Sequence, residues 1–488
     1  MKFFSSALLC LLLIISLVPV QAQKWVIESE TGAIGGIGGK VPFGLQRNQW
    51  GEVPAEGPTV YQRFRLRDTL QVIHASRPNV RIQYGLSTAL NLGLETSVRV
   101  SAAYVGLRAK SWGLRVGRWR EVQGIVDTTQ SSGSFTWSGN ALPIPRIEFG
   151  LQEYTPVFGS SLFAVKGFFA HGWFNNGAVE GSWLHQKSAY LRVGKPQWNI
   201  AFYAGVNHQV QWGGRPVEPF TDPLTGALIT RFSSGWRDFV NVAAGLSLNR
   251  EQDGLNQPGV PANEALNRAG NHLGGLDIGV QMNVRSGRIL LYKQSYFEDG
   301  SLFYLTNIQD GLYGFSYRAE KPQFLQHFTV EFLYTLNQGG ATDNAFNAPQ
   351  LRGKDNYFNN GIYVDGWTYR GRTIGNPFLM VKRDLSEAFI SNVDFPIAIW
   401  SNRVSAINLQ AAYSIGQNPA TTQFYQIRSL GLYGIPRKGN TIGLVQSIQR
   451  KVGYSGACLR LRGSVELGTL VPPNFGLDVT YLRSFAIN

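Results

Sequence analysis

Val80-Arg81-Ile82-Gln83-Tyr84-Gly85-Leu86-Ser87-Thr88-Ala89-Leu90-Asn91-Leu92-Gly93 reads as one long β-strand with two unlike faces. Val80, Ile82, Tyr84, Leu86, Leu90 and Leu92 fall on one side, and Arg81, Gln83, Ser87 and Asn91 on the other. Successive side chains of a strand point to opposite faces, so this alternation describes a surface apolar on one side and polar on the other. After a turn at Gly93 the rhythm resumes with Val98, Val100, Ala102 and Tyr104 on one face.

The same dyad recurs at residues 198–210, 239–248, 276–284, 289–297, 328–336, 407–415 and 424–433. These segments are 9 to 13 residues long, whereas strands of soluble domains cluster near 5 or 6. That length disfavours a soluble sandwich or propeller. In a bilayer every backbone polar group must be paired within a closed sheet, with the apolar face to lipid and the polar face to the lumen. The expected fold class is therefore all-β: a transmembrane outer-membrane antiparallel β-barrel of about 18 strands with long outer loops.

Composition agrees. The chain has 488 residues with 56 Gly, 29 Phe, 20 Tyr and 12 Trp, only 16% charged residues, and no long apolar run after the first segment. Aromatic-rich and weakly charged sequence suits a barrel with aromatic girdles. Lys2, the apolar stretch 7–20 and Val20-Gln21-Ala22 read as a cleavable secretory signal at residues 1–22. Cys10 lies inside that stretch, which disfavours lipidation. Cys458 then stands alone and packs as a small hydrophobe, without a disulfide.

Gly194-Lys195-Pro196-Gln197, Arg285-Ser286-Gly287 and Glu320-Lys321-Pro322-Gln323 read as tight periplasmic turns. Three strands between the first two break the even count that turns on one side require, so one strand is either missing or spurious near residues 227–236. Residues 23–58, rich in Gly and Pro, form an N-terminal segment lying in the periplasm or obstructing the pore, and residues 59–488 form the barrel. Irregular stretches at 121–145, 213–234, 251–271 and 338–402 are the outer connections, and the last is long enough that it should fold inward or carry further elements. The final strand alternates Phe475, Leu477, Val479, Tyr481 and Phe485, which suits the barrel-insertion machinery as a partner, although Ala486-Ile487-Asn488 follow where an aromatic residue is usual.

Motifs of catalysis are sparse. Gly35-Gly36-Ile37-Gly38-Gly39-Lys40 lacks the Ser or Thr and the spacing of a phosphate loop, and the six histidines show no HExxH arrangement. No cofactor, metal or enzymatic role is expected, and a Ser–His pair assembled on the barrel wall is not singled out by spacing. No arginine-rich stripe suggests nucleic acid. The net charge of +14 suits an acidic polymer and anionic lipid equally. A transporter with a plug domain of more than about a hundred residues and about 22 strands does not fit this length.

Three stretches carry more. They are Gly181-Ser182-Trp183-Leu184-His185-Gln186-Lys187-Ser188-Ala189-Tyr190-Leu191-Arg192, residues 355–378 with their run Gly366-Trp367-Thr368-Tyr369-Arg370-Gly371-Arg372-Thr373-Ile374-Gly375-Asn376-Pro377-Phe378, and Trp400-Ser401-Asn402-Arg403-Val404. Together they resemble the Wzi family of outer-membrane capsule-assembly proteins. The resemblance implies a barrel of about eighteen strands with a blocked pore, acting as a surface lectin for capsular polysaccharide in the Gram-negative outer membrane.

The residue chemistry suits that expectation. Tyr357, Tyr363, Trp367 and Tyr369 offer flat faces for pyranose C–H groups, and Arg370 and Arg372 planar two-point contacts for uronate carboxylates. Trp183, His185, Trp400 and Arg403 complete the candidate polysaccharide-binding set. The competing reading places these aromatics in a girdle or in loop packing, the arginines on the lumen or against lipid phosphate, and His185 on the lumen face of its strand. Trp212, Trp236 and Arg237 either extend a binding surface or belong to the aromatic girdle. A diffusion porin or substrate-specific channel shares every barrel feature and differs by an open lumen.

Overall fold

A computed structural model describes residues 25–72, 80–246, 259–265, 268–298, 302, 304–321, 323–341, 354–390, 397–453 and 456–487. The expected leader lies outside them. Eighteen strands form a single antiparallel sheet. In chain order they are β1 (Trp25–Gly36), β2 (Thr59–Val72), β3 (Val80–Gly93), β4 (Ser97–Ala109), β5 (Trp112–Arg118), β6 (Arg146–Val157), β7 (Ser160–Trp173), β8 (Trp183–Val193) and β9 (Ile200–Trp212). The second half comprises β10 (Asn271–Val284), β11 (Gly287–Phe297), β12 (Gly311–Ala319), β13 (Leu325–Tyr334), β14 (Val404–Ile415), β15 (Asn418–Gly431), β16 (Pro436–Val452), β17 (Ala457–Gly468) and β18 (Asn474–Ile487).

The sheet closes through β1, which pairs with β2 on one side and with β18 on the other, from Trp25↔Ile487 to Gly36↔Gly476. Closure leaves no open edge. The boundary expected at residue 59 therefore moves to residue 25. Residues 25–36 belong to the wall, and their outward positions Ser29 and Thr31 lack the apolar signature that marks the other strands.

The outward face is a hydrocarbon-facing belt. Val98, Trp112, Phe149, Phe202, Ile278, Leu444, Leu467, Phe475, Leu477 and Tyr481 are exposed on it, while Asn91, Ser101, Thr329, Glu331, Ser464, Glu466 and Asp478 are buried on the lumen side. Such a wall belongs in a bilayer, and its closed, strand-built form is that of a Gram-negative outer-membrane protein. Among the described residues no helix is long and apolar enough to cross a membrane.

Eight connections of two to seven residues gather at one end with residues 25 and 487, and the long connections emerge at the other. Short turns face the periplasm, so the long connections face outward. The three expected turns all fall at the periplasmic end.

Two local expectations change. Residues 239–246 of the strand expected at 239–248 do not form one: Trp236–Ala244 is a helix, α1, and 247–248 lie outside the described residues. Its apolar residues Trp236, Phe239, Val240 and Val242–Ala243 recur at three and four, the Asp238 carboxylate accepts the Gly235 N–H at 2.7 Å, and Gly245 (φ 67°) ends it. Removing that strand leaves two between the turns at 194–197 and 285–287 and restores the even count. On β4 a bulge sets Ser87 opposite Ala102 and Thr88 opposite Val100, with Ser101 extra. One inserted residue flips the pleat, so Val98 faces lipid while Ala102 and Tyr104 face inward.

Three connections enter the lumen: residues 37–58, 119–145 and much of 335–403. Their buried residues, including Phe43, Leu45, Phe135, Trp137, Ile144, Phe358, Phe378 and Leu379, join lumen-facing Tyr292, Tyr296, Leu333, Tyr425 and Val445 in one apolar cluster. The barrel thus has a packed core inside it. The long connection folds inward as expected and carries short hairpins, Thr368–Tyr369 with Arg372–Thr373 and Met380–Val381 with Ile399–Ser401.

Candidate functional site: an occluded lumen beneath a basic outer cleft

Acceptors on the wall hold the first two inserted segments. Glu466 accepts backbone N–H groups of Phe43 at 3.1 Å and Gly44 at 2.5 Å, and the Tyr425 hydroxyl at 2.6 Å. Glu331 accepts the Ser132 N–H at 2.5 Å and the hydroxyls of Ser131 and Tyr292, each at 2.6 Å. Asp277 takes the Ile125 N–H at 2.8 Å, and the Gln294 side-chain carbonyl takes the Phe135 N–H at 2.9 Å. Irregular backbone exposes N–H groups that regular structure would satisfy, and these wall groups satisfy them.

Ion pairs add a second set of ties. Glu52 of the first segment meets Arg63 at 3.7 Å, Arg65 at 3.8 Å and Arg120 of the second segment. Glu121 pairs with Arg115 at 3.2 Å and with the fully buried Arg146 at 2.7 Å. Charges withdrawn from water in this way hold position because each has a partner.

The Gly-Trp-Thr-Tyr run is the keystone of the inserted core. Arg370 (φ 52°) and Gly371 (φ 75°) turn a two-residue hairpin whose two left-handed positions match the twist of the flanking strands. Arg372 then points inward and donates to Val53 O at 2.6 Å and Gln46 Oε1 at 3.0 Å. Burial, with Arg383 nearby, lowers its pKa to about 10. A side chain at Gly375 would collide with Phe135 O at 1.9 Å, so only glycine permits that approach. The buried Asn376 amide donates to Gly133 O at 2.6 Å, and Phe378 packs beside Phe43 and Tyr425.

The candidate residues consequently lie in different places. Tyr357, Tyr363, Trp367, Tyr369, Arg372 and Trp400 are all buried. Tyr357 donates to Asp310 at 2.7 Å, Tyr363 packs on Phe232 in a satellite cluster, and Trp367 and Tyr369 sit edge-on to Phe174. This corrects the expectation of open stacking platforms: as placed, these rings fill the core. Trp400 donates its indole N–H to Ile397 O, and half-buried Arg403 lies over the Tyr433 ring at 3.7 Å. His185 and Trp183 stand on the outward side of β8, so the lumen-face reading of His185 is also corrected: its ring packs on outward Phe169 at 4.6 Å.

Among the aromatic and arginine residues of that run only Arg370 is exposed, and its guanidinium has no ion-pair partner among the described residues. It opens onto a cleft at the outer mouth that Arg99, Arg372, Arg383 and Glu95 also line. Arg99 pairs with Glu95 and Arg383 with Asp384 at 3.1 Å, whereas the exposed Arg370 guanidinium, 5.7 Å from the Tyr369 ring centroid, meets no carboxylate among the described residues.

On the periplasmic side of the inserted segments the lumen retains two cavities. One, of about 300 Å³, is lined by Arg47, Arg460, Arg462, Gln410, Gln423 and Ser447 among others; the other, of about 220 Å³, by Glu121, Lys166, Tyr154, Tyr190 and Tyr203. Among the described residues no group of three or more His, Cys, Asp or Glu is placed to hold a metal.

No family model matches this sequence, and no curated protein does. Among solved structures, the chain is similar to Pseudomonas aeruginosa OccD3 (OpdP), at 8% identity over 97% of this chain and 93% of that one, with a TM-score of 0.46. P. aeruginosa OccK5 (OpdH) matches at 10% identity over 95% and 98% of the two chains, with a TM-score of 0.45. The outer membrane protein OmpT of Vibrio cholerae, in its trimer form, matches at 8% identity over 94% and 98%, with a TM-score of 0.38. The fold rests on the chain's own strand ladder.

The groups that hold the inserted segments, Glu52, Asp277, Glu331 and Glu466, are not among the sequence candidates. Alternation marks the last three as lumen-facing, yet the inserted residues they hold lie 152 to 423 residues away.

Proposed function

We propose that this protein holds acidic polysaccharide at the cell surface and does not pass solutes. The observation that carries this reading is the packed apolar core inside the barrel, from Leu45 and Phe135 to Phe378 and Leu379. A diffusion pore needs a water-filled lumen, and close-packed aromatic and aliphatic side chains exclude water. The basic cleft supports the class of ligand, because a guanidinium fork matches a uronate carboxylate. The buried members of the Wzi-like run then serve by building the platform that presents Arg370, Arg383 and Arg99. The test is Arg370→Ala with Arg383→Ala in cells that display an acidic polymer. Lower retention with unchanged barrel abundance is the expected result, and unchanged retention counts against the reading.

A second reading is a substrate-specific channel in which the inserted segments shift. It is favoured by the two polar cavities of about 300 and 220 Å³ that reach up beneath those segments. Planar-bilayer conductance separates the two.

A further inference from the structure

Four histidines and a lysine stand on the side of the wall that should meet hydrocarbon. His171 on β7, His185 and Lys187 on β8, His208 on β9 and His272 on β10 share the outward face with exposed Phe169, Leu191, Val206 and Leu276. Polar groups are costly there. Helix α1, from the outer connection between β9 and β10, covers them. Phe239 packs over His171 at 5.5 Å, His185 at 6.0 Å and Trp212 at 6.0 Å. The Lys187 ammonium donates to Ala243 O in the last turn, where the helix dipole favours a cation. His272 donates from Nε2 to Ala269 O at 2.8 Å, which leaves Nδ1 to accept from His208 Nε2 at 3.0 Å.

The other side of α1 is exposed and mostly apolar; Trp236 stacks on Phe239 at 5.3 Å and leaves its far face open, and the one charged residue there, exposed Arg237, has a stem long enough to carry its guanidinium to the headgroups. Trp236 is 77% exposed, Val240 42% and Leu246 42%, with Ala244 exposed between them. This face lies outside the barrel, at the height of the rim where β7 and β8 end in Trp173 and Trp183, and it continues the lipid-facing belt. A tryptophan with an adjacent apolar stripe at that level matches the membrane–water boundary.

From this continuity we infer that α1 is an interfacial anchor, embedded in the outer leaflet with Trp236, Val240 and Ala244 turned into lipid. The helix seals the imidazoles beneath it and extends the barrel's footprint in the membrane plane. Its partner is the bilayer itself, engaged to a depth of roughly 5–10 Å. The inference is independent of what the outer cleft binds.

The test places a nitroxide on full-length protein through Val240→Cys in a Cys458→Ser background, reconstituted in phosphatidylethanolamine–phosphatidylglycerol vesicles. Leu224→Cys, at a 71% exposed position of the same connection, is the aqueous reference. The label at 240 should be open to oxygen and shielded from a water-soluble nickel complex, with the reverse at 224. Equal nickel access at the two positions would overturn the inference. If Val240→Cys fails to fold by heat-modifiable mobility, Ala244→Cys gives the same readout.

Discussion

Glu466 on β17 accepts the N–H of Gly44 at 2.5 Å, joining the wall to the first inserted segment across 422 residues of chain. The same carboxylate takes Phe43 and Tyr425, so one wall residue fixes three donors. A Cβ at Gly44 would lie 2.7 Å from Val445 Cγ2 and 2.9 Å from Ser464 Oγ and Tyr425 Oη, which keeps position 44 a glycine.

Glu466→Ala should strand those buried donors, each at a cost of about 1–3 kcal/mol. The expected outcome is a lower unfolding temperature and intermittent current steps in planar bilayers. Glu466→Gln retains an acceptor and should lose less.

Arg372→Ala removes the ties to Gln46 and Val53 and leaves their carbonyls bare inside the core. Faster amide exchange should appear in both residues 43–53 and 367–379, although they are far apart in sequence. Arg372→Lys cannot reproduce the planar fork and should restore protection only in part.

The Asp127 carboxyl predicts an acid limit. Burial raises its pKa, but hydrogen bonds from His327, Ser316 and Thr129 outweigh that and hold it below the usual carboxylate range. A depressed folded pKa gives stability that is complete above the unfolded value of roughly 3.9 and lost as pH falls through the folded one. Asp127→Asn should destabilise residues 119–145 at pH 7, with the gap to wild type closing in strong acid; proteolytic nicking of that segment reads it.

Glu264 predicts the opposite sign in the outer connection. Burial pushes its carboxyl up to about 8, and the Gly270 N–H only partly offsets this. A raised folded pKa gives stability complete below roughly 4.3 and lost as pH rises through about 8. Glu264→Gln should therefore leave exchange protection around residues 259–270 unchanged at pH 4 and increase it at pH 9.

The wall was legible because alternation is a local property: Leu86, Leu90 and Leu92 declare their face within seven residues. Where the local pattern misled, a local cause was at work. Residues 239–248 alternate at Val240-Asn241-Val242 and Leu246-Ser247-Leu248, but over the longer window from Trp236 to Ala243 the apolar spacing is helical. Ser101 adds one residue that no propensity announces, and β1 was hidden by its Ser29 and Thr31. The inserted core was less legible. The length of residues 338–402 signalled that they fold inward, yet Arg372 meets Gln46 across 326 residues, a pairing no spacing rule contains. The aromatic-arginine run has chemistry that suits a sugar and a core equally well, and burial decides between those uses for all but Arg370.

Conductance of the purified protein across a planar bilayer tests the occluded lumen most directly. The account predicts insertion without a steady open-channel current at moderate voltage, and current only when the Glu466 or Arg372 ties are cut. A stable, large, ohmic conductance from the unaltered protein would contradict it.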